Sequence, residues 1–65
     1  MNEIESKAID AAYGEEMKDL IVVLVDNYIE AAGSAIKEKA AEEEFKRGIA
    51  LVRRVRDRTV DLLGT

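Results

Sequence analysis

Apolar residues in the second half of the chain recur at alternating steps of four and three positions. The series consists of Ala41, Phe45, Gly48, Val52, Val55, Thr59 and Leu62. This spacing is typical of an α-helix that packs one seam against another helix. Ile49, Leu51 and Leu63 widen the seam on both sides, which indicates more than one neighbouring helix.

The first half of the chain carries two such seams, displaced from each other by one residue. One consists of Ile21, Leu24, Tyr28, Ala31 and Ala35, and the other of Val22, Val25, Ile29, Ala32 and Ile36. Acidic residues, among them Asp19 and Asp26, recur on the remaining face, as they do on a solvated helix surface. Two seams on one helix predict two helical neighbours, whereas a single hairpin supplies only one.

Gly33 and Ser34 mark a turn at the middle of the chain. Gly33 suits the left-handed residue that follows a helix, and Ser34 suits the N-cap of the next helix. The flanking segments, 2–32 and 35–63, would form helices of about 46 and 44 Å at 1.5 Å per residue. These matched lengths predict a single domain, 1–65, built as an antiparallel two-helix hairpin that dimerises into a four-helix bundle.

The start of the chain allows an alternative fold. Residues 2–13 fit the hairpin less well, because Ile4, Ala8 and Ala11 lie on a helix side turned away from the later seams. A break at Gly14 would give a three-helix bundle. A strand over the apolar run 20–25 is a weaker interpretation, since two strands do not make a stable sheet. Either favoured alternative is all-helical.

Length and composition make self-association the expected source of stability. A chain of 65 residues buries only about 60 % of the surface that its unfolded form exposes. It contains no Cys and no His, so neither disulfides nor a Cys/His zinc site can stabilise it. The residues predicted to form the oligomer interface are Ile21, Val22, Leu24, Val25, Tyr28, Ile29, Phe45, Gly48, Val52, Val55, Arg56, Thr59 and Leu62. Arg56 is included because its stem can lie on the seam while its guanidinium pairs with an acid of the facing helix.

Charge is distributed unevenly along the chain. Residues 1–45 carry 12 acids and 4 bases, a net charge of −8, whereas residues 46–65 carry 6 bases and 2 acids, a net charge of +4. An antiparallel hairpin would lay the basic stretch 47–58 beside the acids of the first helix. The first interpretation is therefore charge pairing between the helices that fixes their register.

The same basic stretch is also a candidate contact surface for another molecule. The candidate partner-binding residues, which lie off the seams, are Lys46, Arg47, Arg53, Arg54 and Tyr13. Nucleic acid is the less favoured ligand, because the pI is about 4.7 and no aromatic residue lies between positions 46 and 58. An acidic protein surface fits the stretch better.

No residue pattern indicates catalysis, a metal or a cofactor. The absence of His and Cys removes Ser-His and Cys-His arrangements and His-rich metal sites. The consecutive acids 42–44 point about 100° apart on a helix and cannot converge on one ion. The glycines are 15 to 19 positions apart, so no Gly-rich phosphate loop is present. The chain is predicted not to be an enzyme and to need no cofactor.

The sequence also predicts no membrane association. The longest apolar run, 20–25, has six residues, whereas a membrane-spanning helix needs about 20. A basic start followed by a long apolar run, as in a signal peptide, is missing. A cytoplasmic location is therefore expected.

These features predict a non-catalytic, homo-oligomeric helical protein-interaction module, such as a small regulator, an adaptor or a chaperone-like protein. Its expected partners are a second copy of itself and another protein. One alternative is a nucleic-acid-binding regulator that uses the basic stretch 47–58. Another is an engineered helical bundle without a natural partner, although Gly48 within a helix and Val23 outside the seams are untypical of idealised designs.

Overall fold

The structure, a computed structural model, describes residues 1–64 and consists of two α-helices joined by a tight turn. Helix α1 spans Glu3–Ala31 and helix α2 spans Ala35–Gly64, and the two pack against each other as an antiparallel hairpin. Residues 1–64 contain no strand. Helix α1 passes through Gly14 without a break, so the predicted all-helical hairpin is confirmed and the three-helix alternative is wrong.

Helix α1 begins with a capping box formed by Asn2 and Glu5. The Asn2 side-chain oxygen accepts a hydrogen bond from the Glu5 backbone N–H at 2.8 Å, and the Asn2 backbone N–H donates to Glu5 Oε1 at 3.3 Å. Such a cap satisfies two otherwise unpaired N–H groups and is worth about 1 kcal/mol. Two acids in the first turn, Glu3 and Glu5, also complement the positive end of the helix dipole.

The chain reverses at the predicted turn, but the left-handed backbone starts one residue earlier than expected. Ala32, which the sequence pattern places in the first helix, has φ 49° and ψ 42°, and Gly33 follows with φ 83°. The Ser34 N–H then donates to the Ala31 carbonyl at 2.9 Å. Ser34 caps α2 through its side-chain oxygen, which accepts from the Lys37 N–H at 3.4 Å. The reversal therefore needs two consecutive left-handed residues, of which only one is glycine.

The helices meet along one row of residues on each. The less exposed residues that form the two rows are Ile9, Tyr13, Met17, Leu20, Leu24, Asn27 and Ala31 on α1, and Ala41, Phe45, Gly48, Ile49, Val52, Arg56 and Thr59 on α2. The closest approach is at Gly48, where an added Cβ would lie 2.6 Å from Leu20 Cδ2. The missing side chain at Gly48 thus makes room for Leu20 against the backbone of α2.

The hairpin has almost no enclosed core. Among residues 1–64 only Ala31 and Ala41 are buried, and no large side chain is fully buried. The Cα atoms extend over 47 × 15 × 8 Å, which describes a flat plate with the thickness of a single layer of helices. Both broad sides of this plate are open.

Candidate association surfaces

The predicted oligomer-interface residues separate into two groups in the hairpin. Those that face the other helix of the same chain are Leu24, Phe45, Gly48, Val52, Arg56 and Thr59. Those that remain exposed are Ile21, Val22, Val25, Tyr28, Ile29, Val55 and Leu62. The first group lies between the helices, although Val52, Arg56 and Thr59 also line an open groove. The second group is exposed to another chain.

One exposed apolar surface is the outer stripe of α1, which consists of Ile21, Val22, Val25 and Ile29. Because Leu20 and Leu24 face α2, Val22 lies about 200° around the helix from each of them and points away from the hairpin. All four side chains are about half exposed or more. Val22, Val25 and Ile29 belong to the second seam expected from the sequence, whereas Ile21 belongs to the first, and nothing in residues 1–64 covers the stripe.

A second apolar surface is a groove of about 600 Å³ between the helices, towards the chain ends. Its α1 wall is low because it is made by the small side chains of Ala8 and Ala12, whereas Leu51 and Val55 form the higher wall on α2. The remaining lining residues are Glu5, Ile9, Tyr13, Glu16, Val52, Arg56, Thr59 and Leu63. Sequence reasoning missed this groove, and Ala8 is its only alanine among the off-phase residues of the segment 2–13.

A smaller depression lies near the turn on the same side of the hairpin. It is lined by Asn27, Glu30, Ala31, Lys37, Ala40, Ala41 and Glu44. Glu16 of the groove and Glu30 of the depression are fourteen positions apart, or about four helical turns, and so lie on one side of α1. We call this side, with its groove and depression, the grooved face.

The opposite side of the hairpin carries a hydrogen bond between the helices. The Tyr28 hydroxyl donates to Glu42 Oε2, and this is the only hydrogen bond between side chains of α1 and α2 in residues 1–64. The bond to Glu42, together with partial desolvation and the negative charges of Glu42 and Glu38, raises the pKa of Tyr28 to about 12. Tyr28 therefore contributes to closing the hairpin near the turn.

Tyr13 and Arg56 form a pair inside the hairpin. The Arg56 guanidinium lies over the Tyr13 ring, 4.4 Å from its centroid, in a cation–π contact. Tyr13, a candidate partner-binding residue, thus faces α2 and lines the groove. The expected ion pair between Arg56 and an acid of α1 is absent, because Arg56 contacts Tyr13 and, at 3.4 Å, Asp57 of its own helix.

The expected charge pairing between the helices is not found. Every ion pair within residues 1–64 joins residues of one helix, including Lys46 with Glu43 at 3.7 Å. The other candidate partner-binding residues, Arg47, Arg53 and Arg54, are exposed and form no ion pair with α1. They lie outside the contact row of α2 and point away from α1, so their charges do not set the register of the hairpin.

The described residues offer few other kinds of site. Within residues 1–64 no three acidic side chains are grouped so that they could hold a metal ion. Neither helix includes a stretch both long and apolar enough for a membrane span. Comparisons with protein-family models, with curated proteins and with solved structures gave no match to this chain. The exposed apolar and charged surfaces are therefore the features from which a function can be inferred.

Proposed function

We propose that the chain is a self-associating helical module that acts as a non-catalytic protein-interaction unit, in which two hairpins form a four-helix bundle. The observation that carries this proposal is the excess of exposed surface. The hairpin exposes 5047 Å², whereas a compact monomer of its mass, 7.2 kDa, exposes about 4,100 Å². The difference, roughly 900 Å², is close to the ~800 Å² that each partner contributes to a standard protein interface.

The character of the exposed surface supports the same proposal. Large apolar side chains are exposed in contiguous groups on the grooved face and on the outer stripe of α1. Contiguous apolar patches of this kind mark sites of association. A plate in which Ala31 and Ala41 are the only buried residues among positions 1–64 also has little apolar burial to offset the entropy lost on folding. Association supplies the missing burial.

The test is the dependence of folding on protein concentration. If folding and association are coupled, thermal unfolding followed by circular dichroism should shift to higher temperature as the concentration rises. The helical signal should also decrease on dilution. A melting temperature and a helical content that do not change over a wide dilution series would overturn the proposal.

An anionic partner is a second candidate, favoured by the arrangement of the arginines. Arg47, Arg54 and Arg58 are exposed on one side of α2, and no ion pair in residues 1–64 involves them. Such a row can bind phosphates. Titration of labelled duplex nucleic acid at two salt concentrations tests this candidate. Binding should weaken steeply with salt and should be lost when the three arginines are changed to Gln.

A further inference from the structure

The grooved face is bordered on α1 by acidic residues alone. Three glutamates line the groove and the depression: Glu5, Glu16 and Glu30. By helical spacing, Glu15, Asp19 and Asp26 flank the same side. The only bases of α1 are Lys7 and Lys18, and each follows a groove-lining glutamate by two positions, about 200° around the helix. We call the six acids, Glu5, Glu15, Glu16, Asp19, Asp26 and Glu30, the acidic edge.

The other border of the grooved face, on α2, is mainly basic. Lys37 lines the depression, and Arg47, Arg54 and Arg58 lie one turn from the groove-lining residues Leu51 and Val55. We call these four residues, Lys37, Arg47, Arg54 and Arg58, the basic edge. Glu44, which also lines the depression, is an exception, as are Glu43 and Asp61, which share the side of Arg54 by helical spacing. Basic residues thus outnumber acids on this border by four to three, whereas the border on α1 is acidic throughout.

The apolar floor between the edges is suited to a second helical layer. The small side chains of Ala8 and Ala12 line the groove on α1, and the larger side chains of Leu51 and Val55 line it on α2. When two such faces meet, the large residues of one can enter the space above the alanines of the other, as in knobs-into-holes packing. A second copy of the hairpin thus fits the shape of the face.

We propose that a second copy of this chain docks on the grooved face, groove against groove, with the turns of both chains at the same end. The proposal rests on the self-association proposed above and specifies its surface and its orientation. In this arrangement a two-fold axis runs along the bundle, and α1 of each chain lies on α2 of the other. The acidic edge of each chain then follows the basic edge of the other along its length.

The register of the hairpin indicates which charges would meet. Leu20 lies against Gly48, so Glu15 is level with residues 53–54 of α2 and Glu30 with residues 38–39. In the proposed dimer Glu15 approaches Arg54 of the second copy, and Glu30 approaches Lys37 of the second copy. Turning one hairpin end for end would instead place α1 on α1 and α2 on α2, with acid against acid and base against base. Charge therefore selects the orientation with both turns together.

A matched pair of variants tests which surface associates. Val55 on the grooved face and Val22 on the outer stripe are exposed to a similar extent, 56 % and 50 %. Val55→Glu introduces a charge into the groove beside the acidic edge of the second copy, and it should weaken the dimer about tenfold or more in sedimentation equilibrium. Val22→Glu should leave the dissociation constant essentially unchanged. The reverse pattern would overturn the proposal.

Distances between spin labels test the orientation without relying on a disruptive variant. The chain has no cysteine, so Ile4→Cys and Ile36→Cys, at positions 80 % and 84 % exposed, give one label per chain at the two ends of the hairpin. With both turns together, each label should lie about 30 Å from its equivalent, since helices in a bundle are ~10 Å apart. With the turns at opposite ends, each distance should approach the 47 Å length of the hairpin. A dimer that shows the long distances overturns this inference alone, whereas a wild-type monomer overturns the proposed function.

Discussion

At the scale of single residues, two glycines inside the helices have different surroundings. A Cβ added at Gly14 would meet no atom within 4 Å, whereas a Cβ at Gly48 would lie 2.6 Å from Leu20 Cδ2. Glycine in a helix interior costs about 1 kcal/mol relative to alanine. At Gly14 no contact within the hairpin compensates for that cost. At Gly48 the absence of a side chain permits the closest contact between the helices.

Alanine substitutions should separate these two roles. Gly14→Ala should raise the free energy of unfolding by about 1 kcal/mol through helix propensity alone. Gly48→Ala should raise the free energy of unfolding by clearly less, because Leu20 has to change its position to accommodate the new methyl group. Urea unfolding at one protein concentration measures both. An equal gain at the two positions would show that Leu20 does not pack against Gly48.

The hydrogen bond from Tyr28 to Glu42 predicts a dependence of stability on pH. The pKa of Tyr28 is raised from 10.0 to about 12 in the hairpin, so the folded state holds this proton more tightly than the unfolded state does. The contribution of Tyr28 is fully present below pH 10 and is lost as the pH rises through about 12. The stability difference between wild type and Tyr28→Phe should therefore be constant up to pH 10 and shrink above it.

Urea unfolding at several alkaline pH values, with both proteins in the same buffers, measures this difference. Glu42→Gln is the matched control, because it keeps an acceptor at this position but removes the charge. Ultraviolet titration should then show Tyr28 ionising at lower pH in Glu42→Gln than in the wild type. The same ionisation midpoint in both proteins would contradict the assigned hydrogen bond.

At the scale of the elements, the turn contains one residue that is poorly suited to its backbone conformation. Ala32 is left-handed with φ 49°, a conformation that costs a residue with a Cβ about 1–2 kcal/mol. Gly33, with φ 83°, pays no such cost. The left-handed conformation of Ala32 thus lowers the stability of the turn that follows α1.

Substitutions at these neighbouring positions should act in opposite directions. Ala32→Gly should raise the free energy of unfolding by about 0.5–1 kcal/mol, since relief of the left-handed strain exceeds the loss of unfolded-state restriction. Gly33→Val should lower it by more than about 1 kcal/mol, because a branched side chain is forced into the left-handed region. Urea unfolding checks both, and an Ala32→Gly variant less stable than the wild type would contradict the observed turn.

The elements also show what the sequence could and could not predict. The turn was predictable because Gly33 and Ser34 carry a local capping signal. The row of α1 that meets α2 was not, because it includes Asn27 and Ala31, while the more hydrophobic outer stripe remains exposed. Neither predicted seam is the contact row, which shares only Leu24 and Ala31 with the first seam. Apolar spacing locates hydrophobic positions but does not determine which of them face α2.

The predicted phase of α2 holds only over part of the helix. The expected seam residues Ala41 to Val52 and Thr59 are in the contact row, but Arg56 takes the place expected for Val55, and Leu62 is exposed. The cause lies in α1, where Tyr13 offers an aromatic ring to the guanidinium. This long-range pairing carries no signal in the spacing of either helix. Because Arg56 replaces Val55 in the contact row, the Val55 side chain forms part of one wall of the adjacent groove.

At the scale of the whole molecule, the hairpin is a plate with two separate apolar surfaces. If the grooved face binds a second copy, the outer stripe of α1 remains on the outside of the bundle and is available to a different protein. A dimer would present this stripe twice, on opposite sides. This division would let one small chain both assemble and bind, as an adaptor or regulator requires.

Ionic strength provides a further prediction for the assembled molecule. Exposed charges are screened over about 8–10 Å at moderate salt, so the dimer should weaken as sodium chloride is raised if acidic and basic edges meet. Changing Arg47, Arg54 and Arg58 to Gln should reduce both the affinity and its salt dependence. Sedimentation at two salt concentrations measures these effects. A wild-type dimer that tightens with salt would show that the edges do not pair.

The most direct test of the central claim, that this hairpin requires a second copy, is the mass of the particle in solution. Sedimentation equilibrium of the wild-type chain, with helical content measured on the same samples, determines mass and folding together. The expected result is a folded species of twice the chain mass of 7.2 kDa that loses helix as it dissociates. A fully helical particle of the single-chain mass at every concentration would contradict it.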